Sequence, residues 1–291
     1  MPLRNISVRD ARAKMKAPAV DYVRPHSLAE AIDLLALASG EARVIAGGQS
    51  LLALMNLRVA SPGLLIDIAR LPELLSVADH ADAVTLGACV THAAIEDGRA
   101  ADPSQGLMPR VASTLAYRAI RTRGTIGGSL ALSDPAAEWP AVLAALDAEV
   151  VLYGSSGRRS LKCAEFATGI FQTKLAHNEI IESARVPKLS ADARCGYVKL
   201  ARKSGEFASA LAVAVTDPRR GYSRVVLGAA NGAPLVLADT SRLVAEGRRD
   251  PDALRGIIGG DLNRAADRHF DEFQRSIHMV AAMRAVQQVL A

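Results

Sequence analysis

Two pairs of adjacent glycines, each directly behind a short apolar run, limit what this chain can become. The first stands in Val44-Ile45-Ala46-Gly47-Gly48-Gln49-Ser50-Leu51, the second in Thr125-Ile126-Gly127-Gly128-Ser129. Without Cβ atoms, such segments let a backbone approach a ligand closely. Successive N–H groups aimed the same way form concavities that favour anions, phosphate above all. The hydroxyls of Ser50, Thr125 and Ser129 can add donors. Two such loops suit two clamps on an extended dinucleotide, with the pyrophosphate between them. Taken singly, either break also reads as an ordinary turn, because glycine is a common turn residue. Neither is a GxGxxG fingerprint or a GxxxxGK[ST] phosphate loop, so those two nucleotide folds are disfavoured.

The elements around the breaks follow from capping and periodicity. Ser27 and Glu30 have the spacing of a capping box, which predicts a helix over 28–38 ending near Ser39-Gly40. Strands are expected at 43–46, 64–68, 84–88, 149–153 and 179–186, with short helices after Leu51 and Thr91 and a longer one over 107–119. Asp134-Pro135 has the chemistry of an N-cap followed by proline at the first helical position, opening a helix to about Leu146. The other reading of Asp134 is a ligand to a ribose hydroxyl or an ordered water. Gly154-Ser155-Ser156-Gly157 reads as a hairpin turn. From about Leu189 the texture becomes an antiparallel meander at 196–201, 208–215, 224–229 and 235–238, followed by helices near 241–247, 251–258 and 265–290.

Composition narrows the function classes. The 291 residues carry 35 Lys plus Arg against 30 Asp plus Glu, a mild +5 spread along the chain, and only 4% aromatics. Neither a basic patch nor a set of stacking platforms points to nucleic acid; a docking face for a protein partner explains the excess as well. No apolar stretch reaches the roughly 20 residues of a membrane span. Cys89, Cys163 and Cys195 lie far apart, which fits reduced thiols in the cytoplasm and supports neither an iron–sulfur cluster nor a disulfide framework. The six histidines show no metal-ligand spacing, and none sits inside a glycine loop. Residues 1–15 lack an apolar core for a signal peptide and read as an N-terminal extension. Arg118, Arg121 and Arg123 before the second break read as a solvated helix end, or else as a diphosphate counter-charge or a partner contact. Trp139 reads as a packed side chain.

Four separated motifs then occur in a telling order: Ala46-Gly-Gly-Gln-Ser-Leu-Leu52 with Met55, Leu64-Leu-Ile-Asp-Ile-Ala-Arg-Leu-Pro72, Thr125-Ile-Gly-Gly-Ser-Leu-Ala131 with Asp134-Pro-Ala136, and Lys199-Leu-Ala-Arg-Lys-Ser-Gly-Glu-Phe-Ala208. From about Lys16 to its end the chain resembles the FAD-binding medium subunit of the molybdenum hydroxylases, the group of carbon monoxide dehydrogenase and of heterotrimeric xanthine and nicotine dehydrogenases. The resemblance implies an α+β architecture: a two-subdomain FAD-binding domain of the vanillyl-alcohol-oxidase (PCMH) type over 16–188, divided near residue 70, followed by an antiparallel sheet with helices over 189–291. It implies non-covalent FAD held by Ala46, Gly47, Gly48, Gln49, Ser50 and Leu51 and by Thr125, Gly127, Gly128 and Ser129. Asp134 and Glu138 are implied on the ribose side, with Ile181 and Lys199 near the flavin. Ala53 stands where many relatives have Pro, and Leu132 where a polar residue is frequent.

Molybdopterin and [2Fe–2S] clusters are then expected only in partners: an iron–sulfur small subunit and a molybdenum large subunit, in a heterotrimer or a dimer of heterotrimers. The chain would be the flavin station, with no catalytic acid or base of its own. Two other readings stay open: a self-sufficient flavoenzyme of the same fold acting with NAD(P)H, and a non-catalytic interaction protein whose glycine breaks are turns.

Overall fold

The computed structural model describes residues 17–38 and 40–291; the expected extension over 1–15 and the position of Ser39 lie outside the described residues. The chain opens with β1 (Asp21–Val23), α1 (Leu28–Leu37), β2 (Ala42–Ile45), α2 (Leu51–Asn56) and β3 (Leu64–Asp67). These strands form a small parallel sheet in the order β1-β3-β2. Helix α1 covers it through Leu28, Ala31, Ile32 and Leu35. The Ser27 hydroxyl accepts the Glu30 N–H at 3.1 Å as the cap, while the Glu30 carboxylate accepts the N–H of His26 rather than that of Ser27.

The chain then runs through α3 (Pro72–Leu75), β4 (Val77–Asp79), β5 (Ala83–Gly87), α4 (His92–Glu96), α5 (Leu107–Thr114), α6 (Arg118–Arg121), α7 (Ile126–Leu132) and α8 (Glu138–Ala145). It continues with β6 (Glu149–Gly154), β7 (Gly157–Lys162), α9 (Cys163–Phe166), β8 (Ala167–Gly169), β9 (Gln172–Thr173) and β10 (Glu179–Pro187). Here the main sheet is antiparallel, in the order β4-β5-β10-β6-β7. The turn between β6 and β7 is the expected hairpin.

The helix expected over 107–119 is broken at Leu115–Tyr117. The guanidinium of Arg121 donates to the Leu115 and Ala116 carbonyls at 2.8 and 3.1 Å, and Ala116 takes a positive φ of 38°. A charged donor thus satisfies the carbonyls that a continuous helix would have paired with N–H groups.

The third sheet is antiparallel, with β11 (Arg194–Leu200), β12 (Ala210–Asp217), β13 (Tyr222–Gly228) and β14 (Leu235–Val236) side by side in that order. Helices α10 (Ala238–Ala245), α11 (Pro251–Arg264) and α12 (Glu272–Leu290) follow. Strand β12 is buried on both faces: Leu211, Val213 and Val215 join the core of the preceding sheets, and Ala210, Ala212 and Ala214 join a second core under the helices. Within the first of these cores lies α8, every residue of which is buried. That is why its sequence is apolar all round rather than striped. The architecture is the expected α+β one.

Candidate functional site

The two glycine breaks meet. Gly47 follows β2, and a Cβ on it would lie 1.9 Å from the carbonyl oxygen of Arg123 and 3.1 Å from the Cα of Gly124. The first loop is therefore pressed against the entrance of the second, with glycine at the contact because no side chain fits.

The loops differ in what they can offer an anion. Among the described residues, the N–H groups of Gly47, Gly48, Gln49, Ser50 and Leu51 find no acceptor, and the Ser50 hydroxyl does not cap α2. Gly48 holds φ at +72°, which turns the run of N–H groups. The side-chain amide of Gln49 bends back to the Gly47 carbonyl at 3.1 Å. This is a nest of free donors at the start of a helix.

In the second loop the expectation of free N–H groups is corrected. Ile126 donates to Val90 at 3.0 Å, Gly127 to Ala88 at 2.9 Å, Gly128 to the Thr125 hydroxyl at 3.0 Å and Ser129 to the Thr125 carbonyl at 3.0 Å. Thr125 acts as the N-cap of α7, so its oxygen is already committed as an acceptor. Gly127 is required for packing: a Cβ there would meet Ala88 at 2.4 Å. What this loop presents outward is the exposed Gly128 and the half-buried Ser129, whose hydroxyl makes no bond among the described residues.

Asp134 is corrected as well. Its carboxylate accepts the Ala136 N–H at 2.9 Å and its carbonyl accepts that of Ala137, so residues 134–137 form a turn and the helix begins only at Glu138. The Pro135 carbonyl is tied to the N–H of Ala229 at 2.8 Å, which holds the turn against the third sheet. Glu138 then points at Lys199, whose Nζ donates to its carboxylate at 2.6 Å and to the Thr114 carbonyl at 3.1 Å. Burial pushes the Glu138 carboxyl up from its ordinary value, and the Lys199 ammonium pulls it partly back. Ile181 is buried in β10 beside a bulge, and the carbonyl of its neighbour Glu182 accepts the N–H of Ala88, the residue that packs on Gly127. The expected residues thus fall into a joined pair of loops, a backing strand and a buried ion pair.

Of the three arginines before the second loop, Arg118 and Arg121 serve the fold, while the exposed Arg123 makes no side-chain bond among the described residues. Arg121 pairs with Glu96 at 2.8 Å, and Arg118 reaches Glu96 and Asp97, each at 2.6 Å. Hydrogen bonds from Arg118 hold the Asp97 carboxyl down at about 2. Neither guanidinium is a free counter-charge.

His92 was not separable from the other histidines in the sequence. It opens α4 beside the second loop: its N–H donates to the Gly124 carbonyl at 2.9 Å, and its imidazole Nδ1 accepts the Trp139 indole N–H at 3.0 Å. Burial, helped by the nearby Arg121 charge, pushes the imidazole down to about 4. Only the adjacency of Thr91, which caps α4 through the Ala94 N–H, hinted that this segment has a fixed geometry. Apart from the loops, an open groove of about 710 Å³ lies beside β11, lined by Thr114, Tyr197, Lys199, Leu200, Arg284 and Gln287 among others. Among the described residues no cluster of His, Cys, Asp or Glu could hold a metal ion, and no helix is long and apolar enough to cross a membrane.

Residues 15–189 match the family model described as FAD binding domain in molybdopterin dehydrogenase. The chain is 38% identical over 221 residues to the nicotine 6-hydroxylase medium subunit of Paenarthrobacter nicotinovorans, covering 75% of this chain and 77% of that one. It is 35% identical over 224 residues to the carbon monoxide dehydrogenase medium chain of Hydrogenophaga pseudoflava, covering 77% and 78%. The fold superimposes on a chain of a solved carbon monoxide dehydrogenase from Hydrogenophaga pseudoflava with a TM-score of 0.86 and 30% identity, over 94% of this chain and 98% of that one. For a chain of quinoline 2-oxidoreductase from Pseudomonas putida 86 the TM-score is 0.84 at 29% identity, over 95% and 98%. With a nest of free N–H groups closed against a second glycine loop, and with these relatives, the chain belongs to the FAD-binding medium subunits of the molybdenum hydroxylases.

Proposed function

We propose that the chain is the flavin station of a larger enzyme. It takes electrons from [2Fe–2S] clusters of a small partner subunit and passes them to an external acceptor, while a molybdenum large subunit oxidises the substrate. A heterotrimer, or a dimer of heterotrimers, working in the cytoplasm is the corresponding assembly. The observation that carries the reading is the contact of Gly47 with Arg123 and Gly124, which makes one clamp out of two loops.

When bound, FAD supplies the exchange between one-electron and two-electron carriers. The residues present fit that group. Gly47, Gly48, Gln49, Ser50 and Leu51, after Ala46, would hold its diphosphate through five N–H groups that find no acceptor among the described residues. Thr125, Gly128 and Ser129 would close the other side, with Gly127 and Ile181 supporting them from behind. Glu138 and Asp134 belong to the ribose side in this reading, and Lys199 orients Glu138 through their ion pair. The binding unit corresponds to residues 16–188, with 189–291 as a second domain fixed to it through β12.

Flavin titration of the stripped full chain tests the reading. FAD added to apo-protein should restore a bound yellow form, and Gly48→Val should abolish it while circular dichroism stays native. An apo-chain that takes up no FAD, or a Gly48→Val variant that binds it as well as wild type, would remove the proposal.

A further inference from the structure

The second glycine loop spends the N–H groups of residues 126–129 inside the chain and keeps only the Ser129 hydroxyl for a diphosphate, so any further donor on that side comes from another segment. One side chain is placed to supply it. His92 is 8% exposed and stands against the Gly124 Cα: a Cβ built there would lie 2.8 Å from its Nε2 and 2.8 Å from its Cδ2. Gly124 is also where Gly47 of the first loop makes contact. Three segments therefore converge on one glycine, with the imidazole edge at the junction.

The tautomer is set by the neighbour. Trp139 presents its indole N–H to Nδ1 at 3.0 Å, and an indole nitrogen only donates. Nδ1 is therefore an acceptor, and the ring proton sits on Nε2. Among the described residues Nε2 has no partner, and it is not one of their fully enclosed unpartnered side-chain atoms. The Nε2–H is thus not fully enclosed, and it lies against Gly124 where the two loops join.

We propose that His92 is a neutral hydrogen-bond donor to the FAD diphosphate, and that Trp139 is the positioning residue that keeps its proton on Nε2. The inference rests on the loops being the diphosphate clamp. A neutral donor adds a directed hydrogen bond to an anion without changing charge over the working pH range. The charged group acting on the imidazole is Arg121, itself paired with Glu96, so the ring stays unprotonated beside a cation that is already neutralised.

The test is FAD binding to the stripped full chain, read by quenching of flavin fluorescence. His92→Phe should weaken binding roughly tenfold or more, the usual loss for a hydrogen bond to a charged group. His92→Gln, which can present an amide N–H near the same place, should stay close to wild type. In Trp139→Phe the ring proton is free to sit on either nitrogen, so nitrogen-15 shifts should show mixed tautomers and FAD binding should weaken severalfold, whereas wild type keeps the proton on Nε2. A packing role alone would give losses in both His92 variants. Wild-type affinity in His92→Phe, with FAD lost in Gly48→Val, would overturn the inference and leave the clamp standing. FAD retained by Gly48→Val would overturn the clamp itself. If His92→Phe does not fold, nitrogen-15 shifts of the wild-type imidazole decide: Nε2 should move on adding FAD, and an unmoved Nε2 overturns the inference.

Discussion

Lys199 on β11 and Glu138 at the head of α8 form an ion pair at 2.6 Å whose side chains are only 9% and 4% exposed. It joins the third sheet to the buried helix beneath the second glycine loop. A buried pair costs desolvation on both sides, and losing one partner leaves an uncompensated charge. Lys199→Met should therefore destabilise the chain by about 3–5 kcal/mol, and Lys199→Met with Glu138→Leu should recover most of that loss. Urea denaturation of the single and double variants measures it; an additive double variant would show that the two side chains act separately.

Gly47 and Gly128 should differ in their effect on stability although both belong to glycine pairs. Gly47→Ala drives a methyl group into the Arg123 carbonyl, so the loops must part; a cost of about 1–3 kcal/mol and weaker FAD binding are expected together. Gly128 is exposed, and its nearest obstacle is the Thr125 hydroxyl at 2.9 Å. Gly128→Ala should change stability by less than about 1 kcal/mol while still lowering FAD affinity. Thermal melts of both apo-variants, paired with flavin titration, separate the two effects.

The acid side of the stability curve should carry the imprint of His92. Its imidazole sits at about 4 in the folded chain, below the ordinary 6.5, so the unfolded chain binds the proton more readily. The contribution is complete above pH ~6.5, declines as pH falls, and is exhausted below pH ~4, a total of roughly 3 kcal/mol. His92→Gln does not titrate and should lack this part of the slope. Urea midpoints of both proteins from about pH 7 to about pH 4 report the difference; parallel curves would rule the contribution out.

Arg121 should matter to the fold more than a surface arginine does. Its guanidinium serves Glu96 and the Leu115 and Ala116 carbonyls, with only 12% of the side chain exposed. Arg121→Met would leave those groups without their donor at a cost of about 2–3 kcal/mol. Hydrogen exchange should then rise between Leu115 and Thr122 before the rest of the molecule opens.

Much of the frame was written in local chemistry. Ser27 caps α1 as its spacing suggested, Thr91 caps α4, and the meander after Leu189 gives β11 to β14. Alternating or continuous apolar runs report which face an element buries, because periodicity is a property of neighbouring residues. The misreadings fall where a distant group takes over a local one. Arg121 breaks the helix expected to reach residue 119, and Ala229 fixes the turn in which Asp134 stops being a helix cap.

From the residues alone the chain settles where most elements begin and that it carries two glycine loops of like composition, each behind a short apolar run. Only the tertiary structure decides that Gly47 is pressed on Arg123, that the first loop keeps its N–H groups free while the second spends them on Val90, Ala88 and Thr125, and that Trp139 reaches back to His92. The physical reason is the range of the interactions. Propensity and capping act within one turn of chain, whereas steric exclusion and hydrogen-bond satisfaction are settled among groups that folding alone brings together.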